Sequence, residues 1–211
     1  QEAIDNSVDE VIAGHATSVT VIIYKDNIIE VIDDGRGMPT DIHPEEKISG
    51  VELILTRLHA GAKFSDKHYR FSGGLHGVGI SVVNALSSYF EVTVKRDGKI
   101  FNMKFADGIP TDKLKVVGSC GARETGTSLR FLPNPKYFDT VKFAAPQLKH
   151  LLRAKAFLCP GLKVKFQNEQ AGEVDEWYFE DGVNGYLMSV LAGVKRIPET
   201  PFTGSFSTEN E

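Results

Sequence analysis

Apolar positions recur along this chain with two alternating periods. From Glu2 to Ile12, the residues Ile4, Val8, Val11 and Ile12 mark one helical face, while Glu2, Asn6 and Glu10 fall at i, i+4 and i+8 on another. A polar stripe therefore runs beside a buried one. After Gly14 the period shortens to two: Val19, Val21 and Ile23 alternate, a Lys25-Asp26-Asn27 turn follows, and Ile28 to Ile32 return as a more continuously apolar strand. Helical spacing resumes at Ile48, Val51, Ile54, Leu55 and Leu58, and again from Ile80 to Leu86. Phe90 to Arg96 and Ile100 to Phe105 flank Asp97-Gly98, a two-residue hairpin signal, and Thr127 to Leu132 reads as a further strand. Phe143 to Leu158 has helical spacing and stops at Pro160-Gly161; Leu162 to Phe166 and Glu176 to Phe179 read as strands, and Val183 to Leu191 as a last helix. Hairpins interleaved with a few helices predict an α+β fold, a mixed and mostly antiparallel sheet with helices on one face.

Composition narrows the setting. With 211 residues, 41% hydrophobic and 25% charged, the chain can bury a full core as one domain. A net charge of -4 gives no general attraction for nucleic acid. Cys120 and Cys159 are far apart and form no Cys-x-x-Cys pair, so neither zinc nor a disulfide framework is supported, and a cytoplasmic location fits. No apolar run is long enough for a membrane span, and no charged-then-apolar leader opens the chain, so no membrane partner is expected. The opening residues read as helix with no capping side chain before them, which suggests a domain trimmed at its start. Residues 1–200 are expected to form the domain, with the polar segment 201–211 a linker toward an absent domain.

Three segments carry candidate chemistry. Gly74-Leu75-His76-Gly77-Val78-Gly79 precedes a helix, so its backbone N–H groups are able to close on phosphates; such turns are more often plain connections, and this is neither a Walker A motif nor a Rossmann fingerprint. Asp33-Asp34-Gly35-Arg36-Gly37 ends a strand, where a carboxylate can accept from an exocyclic amine and glycines can pass beneath a flat base. A solvated acidic turn is an equal reading of that segment alone. Glu2 offers a carboxylate able to polarise water, and Asn6, one turn on, an amide oxygen able to ligate Mg²⁺; alone, this is a solvated helix face.

Order and co-occurrence decide between these readings. An acidic helix with Glu and Asn at i, i+4, then Asp-x-Gly-x-Gly after a strand, then a glycine-rich segment opening a helix, resembles the GHKL ATPase superfamily. Glu-Ala-Ile-Asp-Asn-Ser-Val-Asp-Glu (2–10), Asp-Asp-Gly-Arg-Gly-Met-Pro (33–39), Leu-His-Ala-Gly-Ala-Lys-Phe (58–64) and Ser-Gly-Gly-Leu-His-Gly-Val-Gly (72–79) resemble the B subunits of bacterial type II topoisomerases. The stretches at 41–46 and 154–161 resemble topoisomerase IV more than gyrase; gyrase, or a chaperone or mismatch-repair ATPase, is the alternative.

The resemblance implies a Bergerat-type ATP-binding sandwich with ATP and Mg²⁺ as cofactors. It implies Glu2 as general base, Asn6 as magnesium ligand, and Asp33 as acceptor of the adenine amine, helped by a water near Thr127. Glu10 would support the helix and pair with Arg36, which stacks near the base. Arg36, Gly37, Met38 and Pro39 would form the floor and mouth of the adenine pocket, with Arg96 at its rim. Lys63, Tyr69, Gly74, Leu75, His76, Gly77, Val78 and Gly79 match a lid over phosphates and ribose. The implied partners are ATP or an ATP-competitive inhibitor for this lobe, expected to be a monomer with little turnover. For the full subunit they are DNA, the DNA-cleaving A-type subunit, and a second B subunit on ATP binding. An N-terminal arm and a lysine from a following domain, which complete the site in that family, do not occur in these residues. Lys149, His150, Arg153 and Lys155 form a basic helix edge, read as a solvated face rather than a DNA contact.

Overall fold

The computed structural model describes residues 1–58, 79–195, 197, 202 and 204. In chain order these residues form α1 (Glu2–Ile12), β1 (Ser18–Ile23), β2 (Ile29–Asp33), α2 (Gly50–Thr56), α3 (Gly79–Ala85), β3 (Ser87–Arg96), β4 (Lys99–Ala106), β5 (Ile109–Pro110), β6 (Lys115–Ser119), β7 (Gly126–Pro133), α4 (Ala145–Leu158), β8 (Lys163–Asn168), β9 (Glu173–Tyr178) and α5 (Val183–Val190). Among the described residues the strands make one sheet in the order β5-β4-β3-β7-β2-β1-β8-β9, with β6 also on β4. Every pairing is antiparallel except β1 with β8.

The alternation in sequence becomes a difference between two faces. Met103, Val92, Leu129, Val31, Val21 and Phe166 lie side by side across six strands and are all buried. Their immediate chain neighbours make the row Lys104, Glu91, Arg130, Glu30 and Ile22 on the opposite face. A side-chain period of two makes this separation obligatory once the register is set. The charges in the second row alternate in sign: Lys104 lies 3.5 Å from Glu91, and Arg130 lies 4.0 Å from Glu30, which also accepts from Tyr24 and Ser128. The apolar face takes the helices. Ala3, Ile4 and Val8 of α1, Val51, Leu53, Ile54 and Leu55 of α2, Ile80 of α3 and Leu152 and Ala156 of α4 join its core. Each of the larger aliphatic side chains contributes about 1.5–3 kcal/mol of burial free energy.

Local sequence sets the helix starts. Ser49 caps α2 by accepting from the Glu52 amide at 3.2 Å, and proline in its first turn opens α4. Several expected boundaries move. Helix α2 ends at Thr56, leaving Leu58 exposed, and Ile12, read as part of the apolar face of α1, is 73% exposed. The apolar pattern predicted neither β5 nor β6.

Candidate active site

Helix α1 presents Asn6, Ser7 and Glu10 inward, all of them buried. Asp33, the last residue of β2, lies in the row Phe101, Val94, Thr127, Asp33, Val19 and Val164, so its carboxylate is placed on the helix side of the sheet among apolar neighbours. It is only 6% exposed. Its Oδ1 accepts from the backbone N–H of Gly35 at 3.0 Å and of Thr127 at 3.3 Å, and its Oδ2 accepts from the Ser7 hydroxyl at 2.9 Å. Burial pushes the carboxyl up to about 6 against the pull of these three donors, and the nearby Glu10 charge adds to the rise. A carboxylate has about four acceptor positions. Three are used, and one remains for a ligand donor.

Glycine makes this geometry possible. Gly37 has φ 75°, and a Cβ there would lie 2.7 Å from the Lys95 carbonyl oxygen. A Cβ on Gly126 would collide with the Asp33 carbonyl itself. The turn after β2 is thus pressed against β3 and β7 with no room for side chains. Asp34 points the other way, accepting from Thr17 N at 2.7 Å, Thr17 Oγ1 at 2.6 Å and Ser18 N at 2.8 Å, which pins the start of β1 to the end of β2.

Glu10 holds Arg36 with both carboxylate oxygens. Arg36 Nη2 donates to Oε1 at 2.7 Å, while its Nε and backbone N–H donate to Oε2 at 3.0 and 3.1 Å. Burial alone would raise the Glu10 carboxyl, but the Arg36 hydrogen bonds and charge overcome it and hold the group below its usual value. The expected Glu10–Arg36 pair is therefore present, and Glu10 supports the turn after β2 rather than its own helix. Arg96 donates from Nη1 to the Gly37 carbonyl at 3.0 Å, which places it at the same turn. Met38 is fully buried in the core, and Pro39 packs against Gly50 at the start of α2. Thr127 is buried beside Asp33.

The other end of α1 is built differently. Glu2 is exposed in the first helical turn, and a Cβ on Gly79 would run into its carboxylate, so the side chain rests against the first residue of α3. Asn6, 7% exposed and one turn (about 6 Å) further on, makes no side-chain hydrogen bond to another described residue. Glu2, Asn6 and Glu10 thus form one edge running from α3 to Arg36. No group of three or more His, Cys, Asp or Glu side chains able to cage a metal occurs among the described residues. A single free amide oxygen suits a cation such as Mg²⁺, which completes its shell from phosphates and water.

Lys63, Tyr69, Gly74, Leu75, His76, Gly77 and Val78 lie outside the described residues. The basic edge of α4 is engaged internally: Lys149 pairs with Glu173 and Asp175, Lys155 with Asp5 at 2.7 Å, and the Arg153 guanidinium stands 5.2 Å from the centre of the Tyr186 ring. Ser7 and Asp34 were assigned no role from sequence. Their partners lie 26 and 17 residues away, and only pairing of β1 with β2 under α1 brings them together.

The B subunit of DNA topoisomerase 4 from Pseudomonas aeruginosa is 61% identical over all 211 residues, which correspond to 34% of that protein. The B subunit of DNA gyrase from Borreliella burgdorferi is 46% identical over 203 residues, 95% of this chain and 32% of that one. The chain therefore spans about a third of the length of the curated relatives it matches. The topoisomerase IV ATP-binding domain of Francisella tularensis, solved in complex with a small-molecule inhibitor, superimposes with a TM-score of 0.76 at 49% identity over 86% of each chain. Residues 1–133, which hold α1, Asp33 and the turn after it, match the family described as histidine kinase-, DNA gyrase B-, and HSP90-like ATPase. This chain belongs to that ATPase family.

Proposed function

We propose that the chain is the ATP-binding lobe of a DNA topoisomerase IV B subunit. The observation that carries this reading is Asp33, a buried carboxylate with three acceptor positions filled by fixed donors and one left for the adenine amine. The base would lie against the turn 35–39, with Gly37 and Pro39 beneath it, Met38 backing it from the core, and Arg36 and Arg96 at its margin. Asn6 would hold Mg²⁺, which would supply the positive charge that neutralises the phosphates. Glu2, two turns of α1 from Glu10, orients and deprotonates the attacking water. The segment Lys63 to Gly79 supplies backbone donors to the phosphates. In the full-length protein, ATP binding would join two B subunits and drive DNA strand passage with the A-type subunit, while this lobe binds ATP or a competitive inhibitor as a monomer. The stronger likeness to topoisomerase IV than to gyrase supports the subfamily.

Calorimetry of the chain with ATP and Mg²⁺ should show binding that Asp33→Asn weakens by about 10- to 100-fold; no binding, or binding untouched by that change, overturns the reading. Rapid steady-state hydrolysis by the isolated lobe would overturn the expectation of little turnover. The full-length protein reconstituted with its A-type partner should decatenate linked DNA circles without introducing negative supercoils; ATP-driven supercoiling would assign it to gyrase.

A further inference from the structure

We propose that Ser7 is a positioning residue for the nucleotide carboxylate: its hydroxyl fixes Asp33 Oδ2 and keeps that group an ionised acceptor at the pH where the enzyme works. This inference rests on the reading that Asp33 receives the adenine amine. A serine inside a helix usually returns its proton to the carbonyl one turn back. Here Oγ lies 3.4 Å from the Ala3 carbonyl but 2.9 Å from Asp33 Oδ2, so the proton is directed to the carboxylate. Ser7 is fully buried, so bulk solvent does not compete for its proton. The other two donors to Asp33 are backbone N–H groups, both on Oδ1. Among the described residues, Ser7 is thus the side chain that sets the orientation of Oδ2 and the acceptor position left on it.

The charges around Asp33 make this donor consequential. From α1 comes Glu10, whose charge opposes ionisation and is partly met by Arg36 in the turn after β2. Asp34 follows in the chain and is turned toward Thr17 and Ser18. From β7 only the Thr127 N–H reaches the carboxylate, and β1 offers Val19. On β3 the nearest charged side chain by register is Lys95, which is paired with Glu124 at 2.7 Å. No cation bonds Asp33 among the described residues, so hydrogen-bond donors alone hold it ionised against burial.

The test is affinity for ATP with Mg²⁺ as a function of pH from 5 to 8.5, on the 211-residue chain, for wild type, Ser7→Ala, Ser7→Thr and Asp33→Asn. The nucleotide's own titration is common to all and cancels in ratios. Wild-type affinity should fall as pH drops through about 6. In Ser7→Ala the midpoint should rise by about one unit, so that its deficit grows toward about tenfold at low pH and shrinks above pH 8. Ser7→Thr, which keeps the hydroxyl, should restore the wild-type profile. Alanine preserves the helix, and Ser7→Cys, similar in shape with a weaker donor, should give an intermediate midpoint. Carbon-13 NMR of the Asp33 carboxyl reads the same shift without ligand. A deficit in Ser7→Ala that is uniform across pH, or an unmoved carboxyl midpoint, overturns the proposal while leaving Asp33 in place. Wild-type affinity in Asp33→Asn overturns the underlying reading instead.

Discussion

The two ends of the candidate site are built on opposite principles. At the Asp33 end the carboxylates of Asp33 and Glu10 are buried and hydrogen-bonded, and Gly37 and Gly126 allow neighbouring backbone segments to approach at van der Waals limits. At the Glu2 end an exposed carboxylate rests on Gly79, and the Asn6 side chain makes no hydrogen bond to a described residue. On the proposed reading the first end is preorganised for a flat neutral base, where fixed acceptors give specificity without rearrangement. On the same reading the second would hold groups whose partners are water, metal and phosphate. Binding and turnover should then be separable by single substitutions.

The sharpest break in that comparison is Glu2→Ala in the full-length protein. Loss of the base should lower ATP turnover by about 10²–10⁴-fold while the affinity for ATP measured by calorimetry changes little, because the group acts on water. A coupled fall in affinity would erase the distinction. Asp33→Asn should do the reverse, weakening nucleotide binding by about 10- to 100-fold through loss of a charge-assisted acceptor. It should also stabilise the fold. The Asp33 carboxyl sits at about 6, above its ordinary 3.8, so the folded chain holds an extra proton between those values. Wild-type stability must then fall as pH rises from about 4 to 6, by up to about 3 kcal/mol. The variant should lack that slope and melt higher at pH 7, as differential scanning calorimetry at both pH values would show.

Smaller effects test how the ends are held. Gly79→Ala displaces the Glu2 carboxylate and should cost about tenfold or more in turnover. Glu10→Gln leaves Arg36 without its fork partner. It should weaken binding of an adenine-competitive inhibitor by about 1 kcal/mol, about fivefold, with Glu2-dependent turnover at saturating ATP unchanged.

Much of this was legible in the residues, for identifiable reasons. Asp97-Gly98 forms the expected hairpin because both adopt positive φ, 51° and 72°. Asp33, Glu10 and Arg36 could be placed because their motif order is itself a constraint on the fold. Strand β6 was illegible since all five of its residues are exposed and carry no alternation of burial. Ile12 misled because helical spacing marks a face, not where the sheet beneath it ends; Ala13, Gly14 and His15 beyond it are exposed as well. Ser7 carries no sequence signature of its own role, since its partner is fixed only by tertiary packing.

The parallel pairing of β1 with β8 bears on how the chain reaches this state. Val19 meets Val164 and Ile23 meets Asn168, so the strand beside β2 gains its second neighbour only after some 140 further residues have emerged. Such distant pairing raises contact order and slows folding. Until residue 168 is available, Val19, Val21 and Ile23 present an apolar strand with one open edge, a template for the wrong partner. A chain stopped before Lys163 would retain every α1 and β2 group of the candidate site described above, yet aggregate instead of folding.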